Sequence, residues 1–245
     1  MGRPLSAATQ PSGLAGPPGK RVRWPKGLPH LTATNGRLYY NSTVALEFFR
    51  RAAGAPHALG VLPAAFNPPT RAHLALASAA LGIVDEVLLV LPREFPHKTY
   101  VEASFDQRRD MLLAATAGEA HYSVAASDRG LFVEIAGECR EAYGEDVRLM
   151  FTCGSDAAER IIGWDYGEPD AFLRMLERFE LLVAPRLGDL CFPAKMQERI
   201  QLLAVPDDLS AVSATAVRER VRRGEPWEDL VPPAIISMVR RIYGA

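Results

Sequence analysis

The sequence is poor in several things, and each shortage excludes a class of protein. Only three cysteines occur among 245 residues, Cys139, Cys153 and Cys191. They lie too far apart for a zinc knuckle or a CxxC redox pair, which leaves ordinary buried thiols suited to a reducing cytoplasm. No apolar run approaches the ~18 residues that span a bilayer, so no membrane is expected. The N-terminus lacks the apolar stretch of roughly 7–15 residues that a signal peptide needs. Neither sign of charge is in excess: 28 Lys and Arg stand against 29 Asp and Glu, a formal net charge of −1. Nothing global therefore draws the chain to nucleic acid.

What is present can bury a core. Apolar residues make up 48%, in a length that suits one large domain with or without an appendage at roughly 150 residues per domain. The first 46 residues stand apart, with six basic residues, no acid, six of the 19 prolines and six of the 19 glycines. The remainder holds 22 basic and 29 acidic residues, a balance of −7. Residues 1–27 show no apolar period. Residues 1–40 are read as a basic Pro/Gly-rich extension, either a solvated tail or a segment like an organellar transit peptide, and 41–245 as the folded domain. Asn41-Ser42-Thr43 predicts the cap of a helix through Arg51, with Val44, Phe48 and Ala52 on one face.

From His57 onward, short apolar runs alternate with helical patterns. Residues 58–62, 86–91, 147–152, 180–184 and 201–205 read as strands. Residues 72–81, 104–117, 156–162, 214–223 and 233–243 read as helices. The first helix is rich in small residues (Ala75, Ala77, Ser78, Ala79, Ala80), which lets it approach a sheet closely. Continuous apolar strands separated by helices predict an α/β fold, Rossmann-like and doubly wound, with a mainly parallel sheet covered on both faces.

The polar residues follow the strands. After the first comes Phe66-Asn67-Pro68-Pro69-Thr70-Arg71-Ala72-His73, and after the second Pro96-His97-Lys98. Gly154-Ser155-Asp156, Pro185-Arg186 and Val212-Ser213-Ala214-Thr215-Ala216-Val217-Arg218 follow the others. In an open parallel sheet these segments share the carboxyl edge, where ligands bind. Thr70 precedes one helix, while Ser213 and Thr215 open another. Helix starts offer unpaired N–H groups and partial positive charge to an anion. Either hydroxyl alone is more often a plain cap, but Arg218, one turn on from Ala214 and Thr215, brings a planar fork to the same anion. Two such starts suit a polyphosphate. His97 and Lys98 add an imidazole and an ammonium, although such a pair in a loop is commonly solvated surface. Asp156 could hold a ribose hydroxyl or cap its helix, and Trp164 could be core or stack on a ring.

Together these segments resemble a family. Phe66 to Leu74 is similar to the F-[DN]-P-x-[HT]-x-x-H-L signature of nucleotidyltransferases with the H/T-x-x-H motif. Val212 to Arg218 resembles their I-S-x-T-x-[IV]-R signature. Pro96-His97-Lys98 resembles the P-H-K loop of nicotinate and nicotinamide mononucleotide adenylyltransferases. Gln107-Arg108 with Met111-Leu112, Gly154-Ser155-Asp156 with Trp164, Arg186 and Val231-Pro232 follow in that family's order. The resemblance covers residues 58–243.

It implies transfer of AMP from ATP to a phosphorylated acceptor, nicotinate or nicotinamide mononucleotide, with release of pyrophosphate in NAD biosynthesis. It implies Mg²⁺ bound through the substrate phosphates, with few protein ligands. It implies catalytic roles for Thr70, His73, Lys98 and Arg218. Phe66, Gly154, Asp156, Ser213, Thr215 and Arg218 would bind the nucleotide, and His97, Lys98, Trp164 and Arg186 the acceptor. Two segments depart from the pattern. Pro63-Ala64-Ala65-Phe66 stands where the family has a glycine-rich entry, which permits close backbone approach to phosphate. Gly130-Leu131-Phe132-Val133 replaces an S-[YF]-T segment near the pyridine ring. These keep two alternatives open: a different acceptor or CTP, and a catalytically degenerate nucleotide-binding homologue.

Overall fold

The computed structural model describes residues 32–34, 37–39, 45–94, 102–163, 170–185, 192–209 and 211–244. The chain divides into Met1–Asn41 and Ser42–Ala245. In the first, β1 (Thr32–Thr34) and β2 (Arg37–Tyr39) pair antiparallel. In the second, the chain runs β3 (Glu47–Arg50), β4 (Ala58–Pro63), α1 (Arg71–Ala80), β5 (Glu86–Pro92), α2 (Phe105–Ala115) and β6 (Tyr122–Ser127). It continues through α3 (Phe132–Tyr143), β7 (Arg148–Gly154), α4 (Ser155–Ile162), α5 (Ala171–Leu176) and β8 (Glu180–Ala184). It closes with α6 (Ala194–Gln197), β9 (Ile200–Leu202), α7 (Ala214–Arg223) and α8 (Ile236–Tyr243).

Seven strands form one sheet in the order β3-β6-β5-β4-β7-β8-β9. All neighbours are parallel except β3, which runs antiparallel to β6. The chain lays down β4, β5 and β6 to one side, then returns to lay β7, β8 and β9 on the other. The strand order therefore reverses between β4 and β7, and the crevice at their carboxyl ends is where such sheets take ligands. The doubly wound α/β reading holds.

Alternation along the strands divides the core. Leu59, Val61, Leu88, Val90, Phe151 and Leu181 pack with Ile135 of α3, Ala158 of α4 and Phe172 of α5. Leu62, Val87, Leu89, Met150 and Leu182 face the other way, onto Ala77 and Ala80 of α1 and Leu112 of α2. A third cluster joins Met111 of α2 to Val217 of α7 and Val239 of α8. Gly60 leaves room for its neighbours: a Cβ there would lie 3.1 Å from Val84 Cγ2, 3.3 Å from Val87 Cγ2 and 3.7 Å from Ala80 Cβ of α1. Among the described residues, no helix is long and apolar enough to cross a membrane.

Three local expectations change. Residues 47–50 form a strand and not a helix; Phe48 and Phe49 project to opposite faces, each into a different core cluster. Arg50 secures this edge by donating from Nη2 to Thr116 Oγ1 at 2.7 Å and from Nε to the Tyr122 carbonyl at 3.2 Å. Residues 41–44, the expected cap, lie outside the described residues, as do 1–31. β1, β2, β6, α3, α5 and α6 had no counterpart in the sequence reading. The expected strand at 201–205 is shorter and earlier, at Ile200–Leu202.

Candidate active site

β4 delivers the chain to the crevice, and the loop after it is tied at each step. Ala64 N donates to the Val90 carbonyl at 3.1 Å. Arg108 of α2 donates from Nη1 to the Ala65 carbonyl at 3.0 Å. Phe66 is buried with φ +46°, a left-handed conformation that costs a bulky residue on the order of 1–3 kcal/mol and persists only where the surroundings hold it. Asn67 supplies that hold. Its carbonyl accepts from Arg218 Nη1 at 2.6 Å, and its Oδ1 accepts from the Tyr243 hydroxyl at 2.5 Å. Burial pushes the Tyr243 phenol well above its ordinary range, so it stays protonated and donates.

Thr70 then caps α1 in extended backbone, with φ −121°. Its Oγ1 accepts from His73 N at 3.4 Å, while Thr70 N donates to His73 Nδ1 at 3.0 Å, the reciprocal bonds of a capping box. An amide can only donate, so Nδ1 must accept and the neutral ring carries its proton on Nε2. The Thr70 hydroxyl lies 2.8 Å from the same Nδ1. The Phe66 ring packs against the imidazole at a centroid separation of 5.1 Å. Phe66 and Thr70 thus orient one histidine.

At the other end of the sequence, Ser213 caps α7 by accepting from Ala216 N at 3.1 Å, which leaves its own hydroxyl proton to donate. Arg218, one turn further, reaches Thr215 Oγ1 from Nη2 at 3.4 Å. Its Nε lies 2.6 Å from Glu102 Oε2, off the line of a directed hydrogen bond, so the contact is an ion pair. Glu102 Oε1 also pairs with Arg222.

These groups share one cavity of about 880 Å³. Phe66, Thr70, His73, Gly154, Asp156, Ser213, Thr215 and Arg218 all line it. Four helices begin there: α1 at Thr70, α3 at Leu131, α4 at Gly154 and α7 at Ser213. Their positive ends converge on one space. A Cβ at Gly154 would meet nothing within 4 Å, which keeps the backbone open to the cavity. Leu131, Phe132, Val133, Ile161, Phe172, Met175 and Phe179 add apolar lining; Phe132 stacks on Phe151 at 4.5 Å. Helix starts and apolar side chains thus line one space. Cys153 also borders the cavity, but burial pushes its thiol up to about 12, so it is no nucleophile.

Ala64 and Ala65 line the cavity half-buried. His97, Lys98, Trp164 and Arg186 lie outside the described residues. The sequence reading missed Glu102, Arg222 and Tyr243. A signal existed for the first two: Arg218 and Arg222 stand four apart on one helix face and need an acid between them.

An open doubly wound sheet with guanidinium groups and four helix starts gathered at its switch point is an arrangement suited to the phosphates of a nucleotide. The chain belongs to the cytidylyltransferase-like family, whose pattern matches residues 61–220. Over 202 residues it is 31% identical to a probable nicotinate-nucleotide adenylyltransferase of Moorella thermoacetica, covering 76% of this chain and 90% of that one. A probable nicotinate-nucleotide adenylyltransferase of Salinispora arenicola is 32% identical over 192 residues, covering 73% and 97%. In fold the chain is similar to Plasmodium falciparum nicotinic acid mononucleotide adenylyltransferase complexed with NaAD. There the TM-score is 0.59 at 16% identity, over 75% of this chain and 95% of that one.

Proposed function

We propose that this chain transfers the AMP moiety of ATP to nicotinate mononucleotide, releasing pyrophosphate. One observation carries the reading. Residues 70–73 and 213–218, from opposite ends of the domain, meet in a cavity lined both by helix starts and by apolar side chains. The nicotinate-nucleotide adenylyltransferase activity of the two relatives above supports this acceptor.

In the reaction an acceptor phosphate oxygen attacks the α-phosphorus of ATP, and the bond from that phosphorus to the β-bridging oxygen breaks. The attacking oxygen is already ionised near neutral pH, since a phosphate monoester loses its second proton near pH 6, so no general base is required. What the protein must supply is placement and positive charge. The Nε2–H of His73 donates to the α-phosphate as charge builds, and Thr70 sets the ring through Nδ1. Ser213 and Arg218 hold the β- and γ-phosphates. Gly154 and Asp156 meet the ribose, and Phe66 backs His73. Lys98 and His97 meet phosphate, while Trp164 and Arg186 serve the acceptor.

Mg²⁺ belongs to this reading as an ion carried by the triphosphate. Among the described residues no three His, Cys, Asp or Glu converge on a point. Of the cavity carboxylates, Glu102 is engaged by two arginines and Asp156 stands exposed in the first turn of α4. Such an ion would offset phosphate charge. A cytoplasmic workplace accords with the buried free thiols Cys139 and Cys153.

Pyrophosphate release assayed against a panel of nucleotides and acceptors tests the reading. ATP with nicotinate mononucleotide should give the dinucleotide. Turnover only with CTP and a sugar or alcohol phosphate would reassign the substrates. ATP binding without turnover on any acceptor would leave a nucleotide-binding module.

A further inference from the structure

We propose that Glu102, anchored by Arg222, is a positioning residue for Arg218 and so sets the chain's grip on the terminal phosphates of ATP and on pyrophosphate. The inference rests on the reading above that Arg218 faces those phosphates. Thr215, Arg218 and Arg222 are spaced by three and four along α7 and share one face. Thr215 lies toward the start of the helix, where the anion-ready N–H groups are. Glu102 bridges Arg218 and Arg222, so its carboxylate braces the guanidinium from the side away from that start. The Nη edge is fixed independently by the Asn67 carbonyl and Thr215 Oγ1. The fork is thus held at three points before any ligand arrives.

Charge explains why the brace is a carboxylate. Two guanidinium groups one turn apart repel, and an ungoverned Arg218 would swing outward and lose rotamer freedom only on binding. Glu102 and Arg218 line the cavity, whereas Arg222 does not. Arg222 therefore acts through Glu102. At 29% and 21% side-chain exposure, Glu102 and Arg218 are shielded enough for the pair to outlast ordinary salt.

Titration calorimetry with ATP and with pyrophosphate, beside steady-state kinetics, tests this in the full chain. Glu102→Gln should weaken both ligands about tenfold, the loss expected for one charge-assisted contact. KM for ATP should rise while KM for the acceptor and the thermal midpoint hold. Glu102→Asp should recover part of the loss, and Arg222→Gln should lose less in the same direction. In an Arg218→Gln background, Glu102→Gln should add nothing, because the two act as a unit. Tighter binding by Glu102→Gln would show the carboxylate competing with phosphate and overturn the proposal. Full additivity with Arg218→Gln, or an equal rise in both KM values, would overturn it too. Failure of the wild-type chain itself to bind ATP or pyrophosphate would overturn the parent reading, and this inference with it.

Discussion

His73 takes its polarity from a backbone amide three residues earlier. Because Thr70 N occupies Nδ1, the ring offers a fixed donor at Nε2 without needing a carboxylate partner to choose the tautomer. His73→Ala should therefore lower kcat about 10²–10³-fold, the usual loss for one transition-state donor. Folding should suffer little, since Thr70 still caps α1; rapid-quench measurement of AMP transfer would read the effect. An unchanged kcat would remove His73 from the chemistry. Phe66 belongs to the same scale. Its left-handed φ turns a large ring under the imidazole, and the hydrogen bonds on Ala65 and Asn67 stabilise that turn from both sides.

At the scale of elements, α8 bears on the site through Asn67, and α3 opens onto the cavity at Phe132 and Val133. Tyr243 of α8 closes on Asn67 Oδ1. Tyr243→Phe leaves that oxygen buried and unpaired, which should cost about 1–3 kcal/mol in urea unfolding and raise KM for ATP as the Asn67–Arg218 tie loosens. Helix α3 stores a different liability. Glu138 is 1% exposed; no hydrogen bond of good geometry reaches its oxygens, although the nearby Ser127 hydroxyl offsets part of the burial. Burial, aided by Asp128, Glu134 and Glu141, lifts its carboxyl from 4.5 to about 7. A raised carboxyl means the folded chain binds more protons than the unfolded one between those values, so stability falls as pH climbs through that window. Glu138→Gln should remove that slope. It should gain about 2–3 kcal/mol over the wild type at pH 8 and almost nothing at pH 4, read by denaturation across pH.

For the whole molecule, legibility in the sequence follows the range of the interaction. The runs at 58–62, 86–91 and 180–184 are legible because each strand is buried on both faces and needs no partner to declare it. The Thr70 and Ser213 caps are legible because their hydrogen bonds span three residues. Strand β6 hides in Tyr-Ser-Val-Ala-Ala-Ser because its buried Ser123 depends on Glu86, 37 residues away, for a partner. Helix α3 hides because Glu134 and Glu138 point inward against every amphipathic rule. Tyr243 is beyond any local pattern, since its partner lies 176 residues upstream. The sheet and the three apolar clusters all fall within Ser42–Ala245. A chain starting at Ser42 should accordingly fold cooperatively and keep kcat, as circular dichroism and the pyrophosphate assay would report; loss of either would give the first 41 residues a part in the enzyme.

The clasp between Tyr243 and Asn67 has a consequence for how the protein is made. Residue 67 leaves the ribosome 176 residues ahead of its partner. A nascent polypeptide paused anywhere before α8 would hold the first signature loop without this lock.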